Sequence, residues 1–124
     1  MLLAAISGFV GVAMGAFGAH GLKGKLAADL MAAFHTAVQY QLWHTVAVLA
    51  VAVHWRHCPN SRLAGWSGAA MLAGIVLFSG SLFLLSLTEQ RWLGIITPFG
   101  GILLLVGWFL LAVDRLLAMR DSGR

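Results

Sequence analysis

The chain has 124 residues, one domain's worth; 60% are hydrophobic and 10% charged, against about 25% charged in an ordinary soluble domain. A protein this small has no interior large enough to hide that much apolar surface, so lipid is its expected solvent. The net charge of +4 is scattered between hydrophobic runs rather than gathered in a basic stripe, which argues against nucleic acid as a partner.

Four apolar segments follow one another, each near the roughly 20 residues a membrane-crossing helix needs. The first, residues 2–19, has Ser7 as its polar side chain. It lacks the basic start of a signal peptide and is too long for one, so it reads as a retained membrane helix. In HGLKGKLAADL, Gly21 and Gly24 suit a turn. Leu26, Leu30 and Met31 then recur at helical spacing and predict a short interfacial helical turn. The second span, residues 34–53, ends in HWRHCPNSR, where Pro59 and Asn60 break the helix and Arg56 and Arg62 mark a water-facing loop. Trp55 suits the headgroup belt. The single cysteine, Cys58, excludes an internal disulfide.

The third span, residues 63–87, is rich in Gly, Ala and Ser and runs into TEQRW. The fourth has two readings. Thr97 as N-cap and Pro98 as first helical residue give a helix over residues 98–117, with Trp92–Ile96 an apolar loop dipping into the interface. The alternative is a helix from Trp92 kinked at Pro98; the first is the expectation. The tail AMRDSGR reads as a frayed polar end. Four spans put both termini on one side with Arg56, Arg62, Arg115, Arg120 and Arg124, against Lys23, Lys25 and Arg91 on the other. Under the positive-inside rule both termini are expected in the cytoplasm.

Gly8, Gly11, Gly15 and Gly18 fall at i, i+3, i+7 and i+10 and line one face of the first helix. Lipid gives little drive for helix association, so small residues that let backbones approach predict a packing seam. Ser67, Ala70, Gly74 and Ser81 suggest a similar seam on the third helix, and Gly100 and Gly107 lie two turns apart on the fourth.

The polar residues concentrate in FHTAVQYQLWH, Phe34–His44. Polar side chains in lipid are costly and usually face a bundle interior, a cavity or a partner. At about 100° per residue, Tyr40, Gln41 and His44 share one side of the helix, while His35 and Gln39 fall on another. His20 ends the first span near the level where the second begins. A transport path would usually carry a buried carboxylate, and none of Asp29, Glu89, Asp114 and Asp121 lies mid-span. His54, His57 and Cys58 form a small cluster at a helix end that falls short of an ordinary zinc ligand set, so no metal and no cofactor is expected. No GxSxG elbow supports hydrolysis. Two functions lead: interhelical hydrogen bonding as polar glue, and a site for a quinone or lipid.

GAFGAHGL (Gly15–Leu22), TAVQYQLWH (Thr36–His44), LFSGSLFLL (Leu77–Leu85) and ITPFGG (Ile96–Gly101) stand in this order. Together they resemble the YgdD-type small integral membrane protein family, a domain of unknown function related to a eukaryotic transmembrane protein family. The resemblance covers about residues 4–113. It implies a small protein of several membrane helices and offers no catalytic residues to carry over. It marks His20, Gln39, Tyr40, Gln41, His44, Ser79, Gly80, Ser81, Thr97 and Pro98, and leaves HWRHCPNSR outside the pattern.

The expectation is an all-α membrane protein, four transmembrane helices in a compact antiparallel bundle in the plasma (inner) membrane. Its expected role is that of a structural or partner-interacting subunit, surrounded by membrane lipids and joined to a second copy or another membrane protein. The alternative is an amphipathic ligand, quinone or lipid, held by His20, Tyr40, Gln41 and His44, with His35, Gln39, Ser79 and Ser81 as secondary polar candidates; haem or metal in the bundle ranks below it.

Overall fold

The computed structural model describes residues 1–122. It is all helical: α1 (Leu2–His20), α2 (Ala28–His57), α3 (Arg62–Thr88) and α4 (Thr97–Ser122), with a 3₁₀ helix at Arg91–Ile95 before α4. All four are long and apolar enough to cross a membrane. They run antiparallel in chain order, α1 packed on α2, α2 on α3 and α3 on α4. The end that carries the termini also carries the α2–α3 loop and is called here the terminal end.

Lipid as solvent shows in the surface. Leu2, Phe9, Trp43, Val76, Leu105 and Phe109 all point outward, a distribution no water-soluble bundle tolerates. The buried residues are mostly small or form two clusters. Toward the terminal end, Ala4, Ala47, Val48, Val51, Met71, Ile75 and Leu104 join all four helices. Toward the opposite end, Phe34 is fully enclosed and meets Phe83 edge-on at 5.1 Å, with Leu22, Ala37 and Val38 around them.

The glycine seam of α1 faces α2 within the same chain. A Cβ on Gly8, Gly11, Gly15 or Gly18 would meet Thr45, Leu42, Val38 or Phe34 in turn, at 3.4, 2.7, 3.4 and 2.7 Å. The tightest contact is between α3 and α4. A Cβ on Gly100 would collide with the backbone N and Cα of Phe78, and one on Gly74 would lie 2.6 Å from Leu104. The Ser67 hydroxyl donates to the Gly107 carbonyl at 2.7 Å across this seam.

Several boundaries differ from the sequence expectation. Residues 21–26 form turns, with Gly24 at φ +73°, and Leu30 and Met31 belong to the first turns of α2 rather than to a separate interfacial helix. At 30 residues α2 is about 45 Å long, so it extends past a hydrocarbon core of about 30 Å. Trp92–Ile95 is 3₁₀ helix rather than loop. Ile96, not Thr97, accepts the first bonds of α4, from the Phe99 and Gly100 N–H groups. Pro98 therefore sits in the first turn, where its missing N–H costs nothing. The freed Thr97 hydroxyl pairs with Ser81 of α3 at 2.8 Å. The helix also carries on through most of the tail expected to fray; Gly123 and Arg124 lie outside the described residues.

Candidate functional site

The polar segment of α2 is held at mid-membrane depth. Gln41 lies 12 residues from Asp29 and 13 from His54, about 18–20 Å from either end of the apolar stretch. There the expected polar face divides between two neighbours. Gln41 is 5% exposed and turns to α1, donating from Nε2 to the Ser7 carbonyl at 2.9 Å. Beside it the Ser7 and Thr45 hydroxyls meet at 2.6 Å. Gln41 is thus spent on the α1–α2 register and leaves the group first assigned to it.

Tyr40 and His44 turn the other way, to α3 and α4. The Tyr40 ring stacks on Phe78 with centroids 4.3 Å apart and on His44 at 5.7 Å. The Trp108 indole N–H of α4 donates to His44 Nε2 at 3.2 Å. That bond makes Nε2 the acceptor, so Nδ1 carries the proton and donates to the Tyr40 carbonyl at 2.8 Å. Two partners thus select one neutral tautomer of His44. Gln39, expected on the side of His35, instead lines the same α2–α4 cleft as Tyr40 and His44, together with Pro98 and Gly101. The cleft has a volume of about 700 Å³.

The other candidates disperse. His20 is exposed at the C-terminus of α1, where a basic group suits the helix dipole. Gly18 packs on Phe34, so His20 lies about half a turn beyond Phe34 and about 12 Å along the axis from Tyr40. His35 is exposed and sits by the Lys23–Gly24 turn. Ser79 donates to the Ala37 carbonyl of α2 at 2.8 Å, and Ser81 bonds its own helix and Thr97. These serines pack helices together.

A second polar cluster, at the terminal end, escaped the sequence reading. Asp114 of α4 is 7% exposed. It accepts from His54 Nε2 of α2 at 3.0 Å, from the Ser61 hydroxyl, and from the adjacent Arg115 at 2.7 and 3.1 Å. Ser61 is also the N-cap of α3 and accepts the Ala64 N–H at 3.1 Å. One carboxylate therefore ties the end of α2, the start of α3 and the end of α4. His and Ser both bond the Asp rather than each other, so this is no nucleophile–base pair. His57, expected to cluster with His54, bonds its own helix at Val53, and Cys58 is exposed. Among the described residues no three His, Cys, Asp or Glu side chains gather as metal ligands. The signal for Asp114 was present: an acid inside VDRLL, on the same membrane side as His54 and Ser61 once four spans are counted.

A match to the model of a protein family of unknown function, DUF423, covers residues 14–101. The chain belongs to that family. The inner membrane protein YgdD of Escherichia coli K12 is 42% identical over 122 residues, 98% of this chain and 92% of that protein. The membrane protein YwdK of Bacillus subtilis is 41% identical over 113 residues, 91% of this chain and 92% of its own length. A Staphylococcus saprophyticus membrane protein matches over the same shares, also at 41%. No solved structure matches the chain. The family match takes in Gln39, Tyr40, His44, Phe78 and Pro98, and it stops before Trp108 and Asp114. The resemblance seen in the motifs is thus a family relationship, and the chain is a small integral membrane protein.

Proposed function

We propose that this chain acts as a membrane subunit that seats a helix of another membrane protein, or of a second copy, in the groove between α1 and α3. The observation that carries this is Gly80. Among the described residues it is the only helical glycine whose added Cβ would meet nothing within 4 Å. The other glycines within the spans each have a covering atom. Gly80 and Ala73, two turns apart on α3, line a groove of about 630 Å³ with Leu3, Ile6 and Val10 of α1. Small residues in membrane helices mark close helix approach, and here no helix of this chain makes it. The commitment of Gln41, Ser67, Ser79 and Ser81 to bonds inside the bundle supports a packing role over chemistry.

The plasma membrane is the proposed location, supported by the name of the Escherichia coli relative. The termini are proposed to lie in the cytoplasm, on the excess of arginine at the terminal end. The test fills the groove: Gly80→Leu meets open space, so the isolated fold should keep its stability within about 0.5 kcal/mol. Native mass spectrometry should nevertheless show the wild-type assembly lost. In a Cys58→Ser background, a photo-crosslinker at Val76 should give a discrete protein adduct in membranes. A wild type that is monomeric and crosslinks to lipid alone would refute the reading.

A further inference from the structure

The cleft between α2 and α4 carries an inference that does not rest on the α1–α3 groove. Its walls are aromatic: Tyr40, Trp43, Phe78 and Trp108. Its polar groups sit near the middle of the membrane, where water does not reach them. Among the described residues, the Tyr40 hydroxyl and the Gln39 amide have no hydrogen-bond partner in the chain, although Tyr40 is 42% exposed and Gln39 is exposed. A hydroxyl or amide left bare in hydrocarbon is costly, by several kcal/mol in the least forgiving reference state. The other polar side chains near this depth, Ser7, Gln41, His44 and Thr45, are all paired. Two neighbouring donors left bare, beside a cleft of drug-pocket size, point to an occupant that supplies acceptors.

The lining restricts its chemistry. Among the described residues no Asp, Glu, Lys or Arg lines the cleft, and His44 is held as a neutral tautomer by Trp108 and the Tyr40 carbonyl, so a charged headgroup finds no counterion. The flat faces of Trp43 and Trp108 suit a planar ring. The Tyr40 O–H and Gln39 N–H₂ suit carbonyl oxygens on that ring. Ile102 and Leu105 line the cleft and face the lipid, which leaves a way out for a hydrocarbon tail. We infer that the α2–α4 cleft binds a neutral amphiphile with a planar, carbonyl-bearing ring and a hydrocarbon tail, the chemistry of a membrane quinone. Tyr40 and Gln39 donate to its carbonyls, and Trp43 and Trp108 flank the ring.

The probe is decylubiquinone, titrated into protein in lipid nanodiscs, with Trp55, Trp66 and Trp92 replaced by Phe so that Trp43 and Trp108 report. Saturable quenching is expected, and native mass spectrometry should show one quinone per chain. Tyr40→Phe keeps the ring and removes the donor; it should weaken binding roughly five- to tenfold and leave the melting temperature unchanged. Gln39→Leu should act in the same direction and keeps the test alive if Tyr40→Phe misfolds. Three outcomes overturn the inference. One is quenching that rises linearly without saturation. Another is wild-type affinity in both Tyr40→Phe and Gln39→Leu. The third is quenching by brominated phosphatidylcholine that quinone fails to relieve, which makes the cleft an acyl-chain site. A Trp43→Cys disulfide dimer in a Cys58→Ser background, formed equally with and without quinone, would assign the cleft to a second copy and overturn it as well.

Discussion

The α3–α4 contact offers the sharpest test of how this fold is held. Gly100→Ala adds one methyl group at the point where α4 touches the backbone of Phe78. A side chain can rotate away from such a methyl; a helix backbone cannot, so the two helices must separate. Overpacking of this kind costs about 1–3 kcal/mol. Separation also stretches the Ser67–Gly107 and Ser81–Thr97 bonds, at 2.7 and 2.8 Å, each worth about 0.6 kcal/mol in a membrane. Against this, alanine gains up to about 1 kcal/mol of helix propensity over glycine. The balance is a loss of about 1–3 kcal/mol. Gly80→Ala is the matched control: the same residue change on a helix, with nothing within 4 Å, should be neutral or slightly stabilising. Unfolding by sodium dodecyl sulfate in mixed micelles, followed by circular dichroism, measures both. If Gly100→Ala lies within about 0.5 kcal/mol of Gly80→Ala, the backbone contact is not what holds α3 to α4 and the reasoning fails.

Two further outcomes follow from the polar groups. Asp114→Asn exchanges charge-assisted bonds to His54 and Arg115 for weaker neutral ones and should cost about 1–3 kcal/mol in the same titration; a wild-type midpoint would mean that the three helix ends are held by apolar contacts alone. Solid-state ¹⁵N spectra of His44 should show Nδ1 protonated and Nε2 bare, and Trp108→Phe should shift the Nε2 resonance; a protonated Nε2 in the wild type would contradict the Trp108 bond.

The helices and the α1 seam were legible because their signals are local. Hydropathy, Pro59 and the Gly8–Gly18 spacing each act within one segment. The polar face of α2 was misassigned for a physical reason. At 100° per residue, Tyr40, His44 and Gln41 fall in one arc, but the arc spans the seam between two neighbours, and helical angles do not say which helix lies at each edge. With α1 on one edge, Gln41 is drawn to the Ser7 carbonyl; with α4 on the other, His44 meets Trp108. Gln39 joins Tyr40 because the α2–α4 cleft is wide enough to take in the next position round the helix. Thr97 looked like an N-cap because its local pattern, Thr before Pro, fits one; Ser81 competes for the hydroxyl through a tertiary contact the pattern cannot contain. Asp114 drew no role because it does not lie mid-span, and its burial depends on His54 and Ser61 arriving from two other helices.

The two outer contacts of α4 differ in kind, and this bears on the cleft. Against α3 it packs glycine to backbone at Gly100, a contact with no play in it. Against α2 it reaches through side chains: Asp114 to His54 at the terminal end and Trp108 to His44 near the middle. Beyond that second link, toward Pro98, the gap between the helices is the cleft itself. Side-chain bridges tolerate small changes in helix separation that a backbone contact does not, because rotamers can adjust while packed backbones cannot. The sequence therefore builds a rigid α3–α4 pair and an adjustable α2–α4 gap on the same helix. An arrangement meant only to pack would have little reason to keep Gln39 and the Tyr40 hydroxyl bare in that gap, when alanine or phenylalanine would fill it at no polar cost.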